Sequence, residues 1–318
     1  MADSLKKKLV IGVSTRTLFC LHRENKIFEE QGVEAYSAYQ REHEKEILSP
    51  GPGFALIQSL LNLNRLPGQE NRVEVILMSK NSPDISLRIF HSIEHYGLPI
   101  TRAVFVSGAS LAPYLNAFHT DLFLSACEED VQSAVDAGIA AGIICHEPDV
   151  GYKRGEIPGQ IRIAFDGDAV LFSDEAEQIF KEKGLEAFEN SEKEKATEPL
   201  CAGPFAGFLK IISDIQKEFG VDNAPIRTAL VTARCAPAHE RVIRTLRAWN
   251  VRIDEAFFLG GLSKREVLSA FGAQIFFDDQ PANAKAAAQV VPAARVPLKS
   301  KEHTANIYRL ERKMNEVS

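Results

Sequence analysis

A short apolar run leads directly into two carboxylates in Ile161-Arg162-Ile163-Ala164-Phe165-Asp166-Gly167-Asp168. Continuous apolar runs of this kind are typical of strands that are buried on both faces of a parallel sheet. Functional groups in such sheets collect where the strands end. Two like charges this close are costly unless a cation or a proton transfer requires them. The stretch therefore predicts an α/β fold with a functional site at Asp166 and Asp168.

Further apolar runs occur along the whole chain, and amphipathic helical patterns separate them. They cover residues 9–13, 73–78, 103–106, 122–124, 142–144, 228–231, 256–259 and 274–277. Alternating strands and helices of this kind predict parallel sheets with helices on their faces.

The composition is that of an ordinary globular protein, with 318 residues of which 45% are hydrophobic and 25% are charged. That length predicts two domains. A net charge of −6 gives no general attraction to nucleic acid polymers or anionic membranes. Because the sequence has neither a membrane-spanning apolar run nor a signal-peptide pattern, we expect a cytoplasmic protein. The five scattered cysteines are expected to be buried thiols.

The sequence contains an internal repeat. Residues 27–36 recur as residues 179–188, a shift of 152 positions, and residues 78–126 align with residues 231–279 at a shift of 153. The longer alignment has about ten identities where chance would give about three. We therefore predict a tandem duplication into domains 1–150 and 151–318, with the joint near residues 145–160.

Other chemically active residues of the second half also follow predicted strands. Thr232 and Arg234 follow the run at 228–231, Lys264 opens a helix, and Asp278 and Asp279 follow the run at 274–277. Acids, a hydroxyl and a lysine on one rim of a sheet suit phosphoryl transfer with magnesium, because a carboxylate attacks phosphorus while cations absorb the charge on the phosphoryl oxygens.

These motifs, in this order, resemble those of the haloacid-dehalogenase-like (HAD) phosphatases. Residues 164–175, 230–234 and 275–280 are more closely similar to the cytosolic 5′-nucleotidase I family, and the likeness extends to residues 10–16 and 32–36. The resemblance implies HAD-like Rossmannoid parallel sheets, with a degenerate N-terminal half and a catalytic C-terminal half. It also implies a small cap, inserted at about residues 173–223, and self-association into a homo-oligomer.

The resemblance further implies a role for each motif residue. Asp166 would be the nucleophile that forms an aspartyl-phosphate, and Asp168 would act as general acid and then as general base. Mg²⁺ would be held by Asp166, the backbone carbonyl of Asp168 and one of Asp278 and Asp279. The phosphoryl oxygens would be bound by Thr232, Ala233 and Lys264.

Several residues are candidates for contacts with the nucleoside. The candidates for substrate contacts are Phe172, Phe205, Arg234 and Arg16. Phe172 follows the nucleophile closely, whereas Phe205 adjoins a helix whose apolar stripe also suits ordinary core packing. The charged run at 189–198 is interpreted as a solvated, mobile loop.

The first half lacks the catalytic set. At the repeat offsets Asp166 corresponds to Ser14, Asp168 to Arg16, Thr232 to Ser79, Lys264 to Leu111, and residues 278–279 to residues 125–126. Without carboxylates we expect no chemistry there. Arg16 and Lys80 leave two interpretations open, since they either bind an anion or form salt bridges in a purely structural partner.

The sequence thus predicts a Mg²⁺-dependent 5′-nucleotidase that hydrolyses nucleoside 5′-monophosphates, either AMP-like nucleotides or deoxynucleotides. One alternative is a HAD phosphatase acting on another small phosphomonoester, since fold and core motifs fix the reaction better than the leaving group. A second alternative is a non-catalytic nucleotide sensor. The intact set of Asp166, Asp168, Lys264, Asp278 and Asp279 argues against the sensor, because a pure binder does not need it.

Overall fold

The sheet of this protein runs through both halves of the chain. The computed structural model describes residues 7–145 and 159–300, so most of the predicted joint at 145–160 lies outside the described residues. The strands of the described part are β1 (Leu9–Ser14), β2 (Val73–Ser79), β3 (Arg102–Phe105), β4 (Leu122–Ser125), β5 (Ala140–Cys145), β6 (Ile161–Phe165), β7 (Ile226–Thr232), β8 (Glu255–Phe258), β9 (Ile275–Asp278) and β10 (Ala293–Arg295).

These strands form one sheet in the order β3-β2-β1-β4-β5-β10-β9-β6-β7-β8. Among the described strands every neighbouring pair is parallel except β5 and β10, which pair antiparallel at the centre. The α/β prediction is confirmed, and each predicted apolar run lies on a strand. The expected parallel sheets form one continuous, mostly parallel sheet with one antiparallel pair at its centre. Strand β10 was not predicted, because its three residues Ala-Ala-Arg carry little apolar signal.

Read from the outer edge to the centre, the two halves of the sheet have the same strand order. The first half runs β3-β2-β1-β4-β5 and the second runs β8-β7-β6-β9-β10. Strands β1, β2 and β4 therefore hold the same relative places as β6, β7 and β9. The residues that follow these two sets of strands are the ones that the repeat aligns.

Helices pack on the sheet and connect its strands. In the described residues they are α1 (Thr15–Leu18), α2 (His22–Glu42), α3 (Phe54–Asn62), α4 (Leu87–His95), α5 (Ala112–Ala117), α6 (Glu128–Asp136), α7 (Glu175–Glu194), α8 (Ala206–Lys217), α9 (His239–Ala248), α10 (Arg265–Phe271) and α11 (Pro281–Ala288). None of these helices is both long enough and apolar enough to cross a lipid bilayer.

The core explains why the strands read as unbroken apolar runs. In β1, Leu9 and Ile11 belong to one hydrophobic cluster, whereas Val10 between them belongs to a second cluster on the opposite face. Successive residues of a strand point to opposite faces, so a strand covered on both sides needs apolar side chains throughout. The larger cluster includes residues of both halves. Polar contacts also join the halves, since Glu218 accepts hydrogen bonds from Gln69 at 2.7 Å and Arg72 at 2.8 Å.

The predicted insertion at 173–223 has two different environments. Helix α7 lies largely at the surface and is broken at Gly184, where φ is +82°. Helix α8, in contrast, buries Phe208, Leu209 and Ile212 in the core. Only the α7 part of the insertion is therefore free of the core.

Candidate active site

Asp166 stands immediately after β6, the strand between β7 and β9. Its backbone N–H donates to the Phe277 carbonyl at 2.8 Å, and its Oδ1 accepts from the Gly167 N–H at 2.7 Å. The residue is 6% exposed. The neighbouring strands thus fix this carboxylate at the carboxyl edge of the sheet, where the sequence placed it.

Lys264 connects two of the predicted acids. Its Nζ lies 2.9 Å from Oδ2 of Asp166 and 2.7 Å from Oδ2 of Asp278, the fully buried last residue of β9. Burial alone would lower the pKa of Lys264, but attraction to the two carboxylates raises it above its ordinary value. The lysine is therefore a fixed ammonium group between two carboxylates.

Asp279 completes a cluster of three acids. One carboxylate oxygen from each of Asp166, Asp278 and Asp279 lies within 4.8 Å of the others. Burial raises the pKa of Asp279 to about 8, helped by repulsion from Asp166. Burial likewise raises the pKa of Asp166 to about 7, although Lys264 opposes the shift. Two buried acids and a partly buried one face a single lysine, so the cluster carries more negative than positive charge, and oxygen donors of this kind fit Mg²⁺.

Thr232 ends β7 beside the Asp166 loop. Its side chain is 1% exposed, and its Oγ1 accepts from the Arg234 N–H at 3.2 Å. A Cβ atom built on Gly167 would lie 3.2 Å from this Oγ1, so the loop approaches the hydroxyl closely. Ala233 is exposed next to it. The hydroxyl and the turn are therefore close to Asp166, as the sequence predicts.

Asp168 is held by Arg234. The guanidinium donates to both carboxylate oxygens, from Nε at 2.8 Å and from Nη2 at 2.7 Å. Arg234 also pairs with Glu192, which pairs in turn with Arg241 at 2.8 Å. The structure thus places Asp168 at the end of a buried ionic chain that reaches helix α7.

Glu192 corrects one interpretation of the sequence. The run at 189–198 was expected to be a solvated loop, but residues up to 194 belong to α7 and Glu192 is 1% exposed. A buried carboxylate needs partners, and two arginines supply them. The repeat offered a signal, because a shift of 152 aligns Glu192 with Gln40, which is buried near Arg88 in the first half.

The structure does not bring the aromatic candidates into the site. Phe172 and Phe205 are both fully buried, with Phe172 packed against Trp249 and Phe205 against Phe277. Burial leaves neither ring a free face for a nucleoside base, so their observed role is core packing. Arg16 lies in the first half, away from the acids, and Arg234 alone among the four substrate candidates adjoins them.

The chain is similar to known proteins over most of its length. The chain matches the family model described as 5′-nucleotidase over residues 1–303. It is 39% identical to cytosolic 5′-nucleotidase 1B of Homo sapiens over 284 residues, which are 86% of this chain and 46% of that protein. The chain thus spans about half the length of this curated relative. No solved structure matches the chain.

Proposed function

The chain belongs to the 5′-nucleotidase family, and on that premise we propose that it hydrolyses nucleoside 5′-monophosphates to nucleosides and phosphate. One observation carries the proposal: Lys264 contacts two buried carboxylates, Asp166 and Asp278, within a cluster of three acids. A carboxylate nucleophile and a fixed ammonium group are the parts that phosphoryl transfer to a protein side chain requires.

In the first step the Asp166 carboxylate attacks phosphorus, and the bond from phosphorus to the 5′-oxygen breaks. Asp168 gives its proton to that oxygen as the nucleoside leaves. In the second step water attacks the phosphorus of the aspartyl-phosphate while Asp168 takes up a proton of the water. The bond from phosphorus to the Asp166 oxygen breaks, which releases phosphate and restores the Asp166 carboxylate. The Arg234 fork uses one lone pair on each Asp168 oxygen, so the carboxyl group keeps free positions for the proton.

The phosphoryl group would lie between the lysine and the β7 turn. Lys264 and the Thr232 hydroxyl, with the backbone at Ala233, would bind its oxygens. Asp166, the Asp168 carbonyl and Asp278 or Asp279 would hold Mg²⁺, which would neutralise charge that develops on those oxygens. The oxygen-only donor set supports this assignment.

We also propose that the fold is a HAD-like tandem duplication with domains 1–150 and 151–318, and that α7 serves as the cap. The common strand order supports it. Equivalent side chains also repeat their contacts, since Arg88 donates to the Glu46 carbonyl at 3.0 Å and Arg241 to the Glu198 carbonyl at 2.9 Å. The human relative is named cytosolic, which supports a cytoplasmic location, and we propose that the chain forms a homo-oligomer.

The test is hydrolysis of AMP with Mg²⁺ by the wild type and by Asp166→Asn. We expect roughly a thousandfold or greater loss of kcat, because the variant has no nucleophile. Asp214→Asn is the matched control, since Asp214 is a half-exposed acid on α8 and should leave the rate unchanged. Wild-type turnover by Asp166→Asn would contradict the mechanism. Activity on sugar phosphates but not on nucleotides would favour another phosphomonoester as substrate.

A further inference from the structure

The first half contains a cavity of about 440 Å³ at the ends of β1, β2 and β4. These strands hold the places that β6, β7 and β9 hold in the second half, so the cavity is the counterpart of the Asp166 site. Its volume is within the range of about 300–1,000 Å³ that is usual for small-molecule sites. The sequence left open whether this region binds anything.

The turns after β2 and β4 have the same hydrogen bonds as the turns after β7 and β9, although the first half has no acids at these positions. Ser79 Oγ accepts from the Asn81 N–H at 3.1 Å, as Thr232 Oγ1 accepts from Arg234 in the second half. Ser125 Oγ accepts from the Cys127 N–H at 3.1 Å, in the place of the Asp278 carboxylate. The turns after β2 and β4 therefore keep the same backbone hydrogen bonds. A serine hydroxyl stands at the position of the metal-binding acid of the active half.

The charge of the cavity favours an anion. Glu24 is paired with Arg88 at 2.7 Å, and Asp130 with Lys80 at 2.7 Å. Arg16, in contrast, is exposed and has no ion pair or hydrogen bond with any residue in the ranges 7–145 and 159–300. One guanidinium is thus free to bind a carboxylate or a phosphate, and its planar fork fits both groups.

The cavity also has an unused donor and an aromatic wall. Asn81 Nδ2 is buried and has no hydrogen-bond partner among the described residues, although Asn81 Oδ1 accepts from the Tyr36 hydroxyl. A buried donor without a partner is costly, so an acceptor on a ligand would stabilise it. The rings of Phe28 and Tyr36 meet edge to face at 5.9 Å on the same wall, and Phe28 is 47% exposed.

We propose that this cavity is a second binding site, which takes a phosphate ester with an aromatic group, such as a nucleoside monophosphate, without a metal ion and without turnover. Arg16 pairs with the phosphate, and Asn81 Nδ2 donates to an oxygen of the ligand. The aromatic group lies against Phe28. Hydrolysis does not occur there, because Ser14 and Ser125 stand where the active half has Asp166 and Asp278.

The test is calorimetric titration of AMP in EDTA into protein that carries both Asp166→Asn and Lys264→Ala, which disable the other site. We expect one mole of AMP to bind per chain. Adding Arg16→Ala should weaken binding at least tenfold, because a charge-assisted phosphate contact is lost. Arg65→Ala removes an exposed arginine of the same half outside the cavity and should change nothing.

Ligand chemistry is tested by two further titrations, with adenosine and with ribose 5-phosphate. Both should bind at least tenfold more weakly than AMP, since each lacks one of the recognised groups. A site-specific readout is alkylation of Cys127, which lines the cavity, followed by peptide mass spectrometry. AMP should slow the alkylation of Cys127 and should leave the alkylation rate of the exposed Cys201 unchanged.

The proposal is overturned if the double variant does not bind AMP, if Arg16→Ala binds AMP as tightly as its parent, or if adenosine binds as tightly as AMP. None of these measurements depends on turnover. Failure of the wild type to hydrolyse AMP would therefore contradict the proposed function and leave this site untouched. Circular dichroism of Arg16→Ala checks folding, and Arg16→Lys should retain part of the affinity if charge is what matters.

Discussion

Arg234 donates two hydrogen bonds to Asp168, of 2.8 Å and 2.7 Å. They fix the plane of the Asp168 carboxylate, which lies beside Asp166. A proton donor must be oriented as well as present, because small errors of position slow proton transfer strongly. The arginine is 4% exposed, so water has little access to this pair.

Replacing this arginine should therefore reduce kcat more than it raises KM. For Arg234→Gln we expect kcat for AMP to fall roughly 10- to 100-fold, because Asp168 loses its orientation. Steady-state kinetics with Mg²⁺ measures the effect. Arg227→Gln, which changes a partly exposed arginine on the preceding strand β7, is the control and should match the wild type. An unchanged kcat for Arg234→Gln would show that Asp168 needs no such support.

Glu192 should matter for stability, because it is the buried carboxylate between Arg234 and Arg241. Glu192→Gln leaves two buried guanidinium groups short of negative charge, and we expect a loss of about 3 kcal/mol in the free energy of unfolding. Chemical denaturation measures it. Glu194→Gln changes an exposed residue of the same helix and should cost less than about 0.5 kcal/mol. Equal stability of the two variants would contradict the structural role of Glu192.

Gly203 and Gly207 form a matched pair of glycines. A Cβ atom on Gly203 would lie 2.3 Å from the Phe172 carbonyl oxygen, whereas a Cβ atom on Gly207 would have no atom of the described part of the chain within 4 Å. Gly203→Ala should destabilise the protein by about 3 kcal/mol through overpacking against rigid backbone. Gly207→Ala, within α8, should stabilise it by up to about 1 kcal/mol. Thermal unfolding of both variants measures the difference in stability. Similar melting temperatures would contradict the close approach of Gly203 to the Phe172 carbonyl.

The acid cluster should make the stability of the protein depend on pH in EDTA. Burial raises the pKa of Asp279 to about 8, and unfolded aspartate titrates at about 3.9. Between these values the folded state binds the extra proton, so this residue reduces stability progressively as pH rises. Asp279→Asn cannot titrate, so its unfolding free energy relative to the wild type should increase from pH 5 to pH 8.

Urea denaturation in EDTA at several pH values measures this difference. Asp222→Asn, which changes an exposed acid, should show a difference from the wild type that does not vary with pH. A constant difference for Asp279→Asn as well would mean that Asp279 is ionised throughout this range.

Much of the fold and the acid cluster follows from local patterns. A strand covered on both faces is apolar at nearly every position, so runs such as 9–13 and 161–165 were recognisable, and the carboxyl edge of the sheet then collects Asp166, Thr232 and Asp278. The burial of Glu192 was not predicted, because its partners lie in the turn after β7 and on α9, more than 40 residues away in sequence. Phe172 was expected to contact the substrate because it follows Asp166 closely in sequence. That nearness does not determine where the ring packs, and the structure places it in the core.

The central pairing of β5 with β10 has a consequence for the first half. An unpaired strand edge is a template for aggregation, and β5, with the sequence Ala-Ala-Gly-Ile-Ile-Cys, carries no charge to prevent it. The outer strands β3 and β8 are only four residues long and begin with Arg102 and Glu255. The pairing of β5 with β10 thus covers, in each half, the strand edge that is more prone to aggregate. The first half therefore covers the β10 edge of the second half, and we expect its removal to reduce the solubility of the second half.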